Sequence, residues 1–144
     1  MSAASDTNQF TRRALLALPL VGAGLLILGR HKEPAFKVPE VDLAKGKALL
    51  ESGALVLDAR KQDSYLFRHI VGAMLMPLAT LRLGIPVSLE YAKAQPILVY
   101  CSDGLSIGPE ATRILNEAGY AGAVNLRDGI EGWDKAGLPV KRAA

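Results

Sequence analysis

The chain has 144 residues, half of them apolar, and a formal charge of +3. That length suits one compact domain and little more. One cysteine excludes an internal disulfide and a Cys-rich zinc site; two histidines, His31 and His69, are too few and too far apart to suggest a metal centre.

The first 33 residues differ from the rest. Arg12 and Arg13 precede an uncharged run from Ala14 to Gly29, and Arg30, His31 and Lys32 close it. As a helix this run spans about 24 Å, short of the ~30 Å hydrocarbon core. Pro19, Gly22, Gly24 and Gly29 weaken it further. Residues 1–33 are therefore expected to be an export signal or a short membrane anchor. Thr11-Arg12-Arg13-Ala14-Leu15-Leu16 resembles the twin-arginine export motif and favours a body on the extracytoplasmic side of the membrane, in the periplasm. Basic residues stand on both flanks of the run, so they do not set its orientation. No clear cleavage site follows Gly29. An uncleaved anchor is preferred, with a cleaved signal as the alternative.

A linker is expected over 34–37, and a folded domain over 38–141. From Ala35 onward there are 13 Lys and Arg against 12 Asp and Glu, so the body is nearly neutral. It carries no basic stripe with interleaved aromatics, which argues against nucleic-acid binding. The pattern of Val41 to Ser52 suits a helix, with Gly53 as its stop. Leu55 to Asp58 is a short apolar run suited to a buried strand. Asp63 to His69 reads as a short helix capped by Asp63. Ile70 to Pro77 reads as one more strand, and Leu78 to Ala94 as helix interrupted at Pro86. Ile97 to Tyr100 is the clearest buried strand. Pro109 to Ala118 is a helix with proline in its first turn and Gly119 as its stop. Ala123 to Leu126 is a last strand. Gly129 to Ala136 carries Trp133 as a core residue, and Gly137-Leu138-Pro139 ends the fold. Strands alternating with helices predict a mainly parallel sheet covered on both faces, an α/β fold.

Cys101 follows the strand Ile97–Tyr100. The loop Cys101-Ser102-Asp103-Gly104-Leu105-Ser106 then leads into a helix. Ligands of open α/β sheets collect at the carboxyl ends of strands. A helix N-terminus adds unpaired N–H groups that favour negative charge, so a thiolate there is stabilised and reactive. Gly104 lets the backbone curl until several N–H groups point at the sulfur. From this context alone, a reactive cysteine and an inert one closing a buried strand stand level.

Four stretches, in order, resemble the rhodanese-like sulfurtransferase family over residues 38 to 140. Leu55 to Arg60 is similar to its strand ending in Asp-x-Arg. Tyr65 to Ala73 is similar to its aromatic segment containing His-Ile-x-Gly-Ala. Ile97 to Gly104 is similar to its strand and Cys-x-x-Gly loop. Leu126 to Trp133, followed by Gly137 to Val140, is similar to its Gly-x-x-x-Trp and Gly-x-Pro signature. The resemblance implies a five-stranded, mainly parallel sheet with helices on both faces.

The implied chemistry is a double displacement. Cys101 takes sulfane sulfur from thiosulfate or a related small-molecule donor as a persulfide and passes it to a thiol or to cyanide. No cofactor and no metal are implied. Ser102, Asp103, Gly104, Leu105 and Ser106 would form the substrate loop. Asp58 and Arg60 would make supporting polar contacts, and His69 would be a structural histidine. Asp103 would repel anionic donors or tune the loop, and Arg68, in place of the family's usual glycine, would be a surface charge.

Two positions depart from the family pattern. Ser106 stands where an arginine is common, and Ile107 where a small residue is common. Arginine offers a permanent charge and a bidentate fork to an oxyanion, and a serine hydroxyl does not. Thiosulfate is therefore expected to bind weakly, or another donor to serve. Arg113 lies about two helical turns beyond the loop and is not assigned the role. The same loss argues against the related phosphatases, whose longer cysteine loop is closed by arginine. The alternatives to an enzyme are a non-catalytic or sulfur-carrier module on this fold and a thiol redox sensor.

Overall fold

The computed structural model describes residues 32–144. The twin-arginine motif and all but the last two residues of the expected signal or anchor fall outside that range. No helix among the described residues is long and apolar enough to cross a membrane.

Five strands form a parallel sheet: β1 (Glu40–Val41), β2 (Leu55–Asp58), β4 (Met74–Leu75), β5 (Ile97–Tyr100) and β6 (Ala123–Leu126), in the order β1-β6-β5-β2-β4. This is the α/β architecture expected from the alternation of elements. Between β2 and β5, successive residues face opposite sides of the sheet, and each face has its own core. Leu57, Ile97 and Val99 pack with Leu81, Leu89, Ala111 and Leu115, from α3 (Leu78–Leu83), a 3-10 helix at Val87–Ala92 and α4 (Ile107–Glu117). Val56, Leu98 and Tyr100 pack with Leu126, Ile130 and Trp133 on the side of α1 (Leu43–Glu51) and α5 (Gly129–Lys135). Ile97, Leu98, Val99 and Tyr100 are fully buried, which is why the run shows no polar alternation. Trp133 is a core residue, and its Nε1 donates to the Pro139 carbonyl at 3.0 Å.

Several boundaries differ from the sequence-based expectation. Val41 belongs to β1. The first helix begins at Leu43, because the Asp42 side chain accepts from Lys45 N–H at 2.9 Å and caps it. In α2 (Gln62–Phe67) the N-cap is Lys61, with no side-chain cap; Asp63 lies inside the first turn, where its charge complements the helix dipole. The stretch from Ile70 to Pro77 is not one strand. It breaks after β3 (Arg68–Ile70) at Gly72, whose φ of 80° suits glycine, and resumes as β4. Pro86 separates α3 from the 3-10 helix.

The regular structure also does not end at Pro139. β7 (Val140–Arg142) pairs antiparallel with β3 as a second, two-stranded sheet. Its polar residues give no apolar run to read; cross-strand pairing creates it.

Candidate active site at the carboxyl end of the sheet

From β2 the chain runs outward to β4, returns to β5 on the other side of β2, and continues outward to β6. The direction reverses between β2 and β5, and a crevice at their carboxyl ends is where such folds bind ligands. Both ends carry residues singled out from sequence: Asp58, the last residue of β2, with Arg60 just beyond it, and the cysteine loop after β5.

Cys101 is only 1% exposed. Its Sγ accepts the Gly104 N–H at 3.2 Å and lies 3.9 Å from Asp103 Oδ1. The next amide, Leu105 N–H, donates to Asp103 Oδ1 at 3.0 Å. The sequence led us to expect several amides on the sulfur. The structure instead gives Gly104 N–H to the sulfur and Leu105 N–H to the Asp103 carboxylate.

The loop is held from several directions. Ser102 O accepts Glu131 N–H at 3.0 Å and Cys101 O accepts Ile130 N–H at 2.9 Å, which ties the loop to the start of α5. Leu105 O accepts Ala35 N–H at 2.7 Å. Ser106 is the N-cap of α4 without a side-chain cap bond, and its carbonyl accepts Glu110 N–H at 3.0 Å. Gly104 has φ 75°, and a Cβ there would sit 2.0 Å from the Arg127 carbonyl oxygen, so both conformation and space demand glycine.

Two supporting residues were not singled out from sequence. Asn125, fully buried in β6, donates from Nδ2 to Gly104 O at 3.0 Å. Its signal was an amide inside an otherwise apolar strand. Gly108 leaves room for that amide: a Cβ there would lie 2.5 Å from Asn125 Oδ1 and 3.2 Å from Cys101 Sγ. Tyr100, next to the cysteine, shows in the sequence only as the last residue of a buried strand. Its hydroxyl donates to Asp58 Oδ2 at 2.7 Å and accepts from Ile70 N–H at 3.1 Å.

Asp58 and Arg60 form a buried ion pair. Arg60 donates from its backbone N–H and Nε to Asp58 Oδ1, each at 3.0 Å, and from Nη2 to Oδ2 at 2.7 Å and to Arg68 O at 2.6 Å. These bonds tie the end of β2 to β3, and the Tyr100 hydroxyl on Asp58 ties it to β5. His69 lies in β3, with Nδ1 2.8 Å from Tyr65 O and its ring stacked on Tyr65 at 3.9 Å. A carbonyl can only accept, so Nδ1 carries the proton. Arg68 is not a free surface charge: its guanidinium is partly buried and pairs with Asp134, which also pairs with Arg142. All six arginines among the described residues are ion-paired; Arg82 is held by Glu110 and Arg113 by Glu117. A groove of about 220 Å3 is lined by Arg60, Lys61, Pro77, Leu78, Arg82 and Ile107, the first residue of α4; no residue of the cysteine loop lines it.

Burial, with the adjacent Asp58 charge, pushes ionisation of the Tyr100 phenol well above its ordinary range. The folded state then holds that proton more tightly than the unfolded chain. The resulting stabilisation is complete below about pH 10 and is lost as pH rises above it. Melting temperatures taken from about pH 8 to 11 are expected to fall more steeply for the native chain than for Tyr100→Phe. Parallel slopes would remove Tyr100 as the cause.

A buried cysteine at the carboxyl end of a central parallel strand, cradled by a glycine-bearing loop that opens a helix, defines a class of α/β proteins built around one thiol. The Rhodanese-like domain model matches residues 42–136, and the chain belongs to that family. It is 35% identical over 89 residues to the thiosulfate sulfurtransferase GlpE of Coxiella burnetii, covering 62% of this chain and 78% of that protein. It is 29% identical to the uncharacterized protein YibN of Escherichia coli, with 62% of each covered. The chain spans about half to three-fifths of the length of the first curated relatives it matches. Among solved structures, the rhodanese-like domain of Alr3790 from Anabaena superposes with a TM-score of 0.62 at 28% identity, covering 74% of this chain and 80% of that one.

Proposed function

We propose that this chain transfers sulfane sulfur through a persulfide on Cys101, held by the Gly104 amide without a side-chain cation. The observation that carries the reading is the Gly104 N–H on Cys101 Sγ at the carboxyl end of β5. That amide offsets negative charge on the sulfur before and after transfer. Likeness to a thiosulfate sulfurtransferase adds support.

The donor's outer sulfur is attacked by the Cys101 thiolate, the donor's remainder leaves, and an acceptor thiolate or cyanide then removes the sulfur. The groove beside Ile107 has room for a small thiol acceptor. With Ser106 at the loop's end and the described arginines all paired, we expect persulfides to serve as donors better than thiosulfate. The Arg12-Arg13 motif supports a body outside the cytoplasm, tethered or exported.

Incubation of the full chain with an alkyl persulfide or with thiosulfate, followed by intact-mass measurement, is expected to add about one sulfur atom, and none in Cys101→Ala. No gain with either donor would overturn the reading. A non-catalytic binding module would then stand in its place, a reading favoured by the burial of Cys101 and the missing cation.

A further inference from the structure

We propose that Asp103 is a specificity-determining residue: its carboxylate occupies the anion cradle of the cysteine loop and selects against doubly charged sulfur donors. The inference rests on sulfur transfer at Cys101.

Three observations carry it. Two consecutive loop amides are divided, Gly104 N–H to the sulfur at 3.2 Å and Leu105 N–H to Asp103 Oδ1 at 3.0 Å. The donor that would otherwise extend the cradle is thus already satisfied by an internal anion. The exposed Asp103 carboxylate lies 3.9 Å from Sγ of the buried thiol. No free guanidinium among the described residues offsets that charge, since each of the six is ion-paired. Asp103 itself is exposed, so its side chain can turn out to solvent when a donor enters.

The chemistry separates two donor classes. With thiosulfate, the Cys101 thiolate, its proton having passed to water, bonds to the outer sulfur. The S–S bond of thiosulfate breaks, and sulfite leaves with its two charges. The dianion must approach the Asp103 carboxylate and compete with it for Leu105 N–H. With an alkyl persulfide, the thiolate bonds to the terminal sulfur, the S–S bond breaks, and an alkyl thiolate leaves. Only one charge is handled there, and no sulfonate needs an amide. Repulsion between like charges about 4 Å apart in a partly screened site therefore falls mainly on thiosulfate.

Asp103→Asn isolates the charge, because its side-chain oxygen can still accept from Leu105 N–H. Persulfide formation on Cys101 would be timed with thiosulfate and with an alkyl persulfide bearing an uncharged side chain. The expected result is a fall in thiosulfate KM of about tenfold or more, with the persulfide changed about threefold or less. Asp103→Ser, which keeps an oxygen acceptor, should move the donor ratio the same way. Sulfur gain in the native chain with an unchanged donor ratio in both variants would overturn the role of Asp103 while leaving Cys101 chemistry intact. Absence of sulfur gain in the native chain with both donors would overturn both.

Discussion

Asp58→Ala is expected to cost roughly 3–5 kcal/mol of folding stability, the usual penalty for leaving one partner of a buried ion pair alone. Asp58 is fully buried, and its two oxygens accept from Arg60 and from the Tyr100 hydroxyl. Without them the Arg60 guanidinium keeps only the Arg68 carbonyl, and the Tyr100 hydroxyl loses its acceptor. A domain of this size is stable by about 5–15 kcal/mol, so the loss is a large fraction of the whole. Because Tyr100 precedes Cys101, the damage reaches the loop. Urea unfolding checks the magnitude. A loss under about 1 kcal/mol would contradict a structural role for the pair.

Gly104→Ala is expected to destabilise the fold by roughly 3 kcal/mol or more and to abolish persulfide formation. The left-handed backbone at φ 75° costs a non-glycine residue about 1–2 kcal/mol. The added methyl would also stand 2.0 Å from Arg127 O and 2.5 Å from Leu126 O. Both are backbone atoms at the end of β6 and cannot turn aside as a side chain could, so the loop must move, adding about 1–3 kcal/mol. Moving it withdraws Gly104 N–H from the sulfur and Gly104 O from Asn125. Thermal unfolding and the intact-mass experiment read the two effects separately. Normal sulfur loading in a stable variant would mean that the Gly104 amide is not needed.

Residue patterns carried much of this architecture. Leu55 to Asp58 and Ile97 to Tyr100 are short runs buried on both faces, and their lack of alternation announced a covered parallel sheet. The helix of residues 107–117 was legible from Pro109 and from Gly119, which takes φ 93° just beyond its end. Elements with little local signal were not. β7 exists because Val140–Arg142 meets Arg68–Ile70 across the chain. Arg68 looked like a surface charge because Asp134, its partner, lies 66 residues away.

The candidate site divides along the same line. Local order of residues placed Cys101 after a buried strand and glycine in its loop, because strand burial and left-handed turns are short-range demands that leave a mark on neighbouring residues. Which amide faces the sulfur and which faces Asp103 are contacts three and two residues apart, set by the turn of the loop itself. How Asn125 and Tyr100 brace that loop follows from strands brought side by side, 21 and 42 residues apart in the chain. Contacts between residues so distant have no period or spacing to betray them, so only the packed tertiary structure decided the bracing.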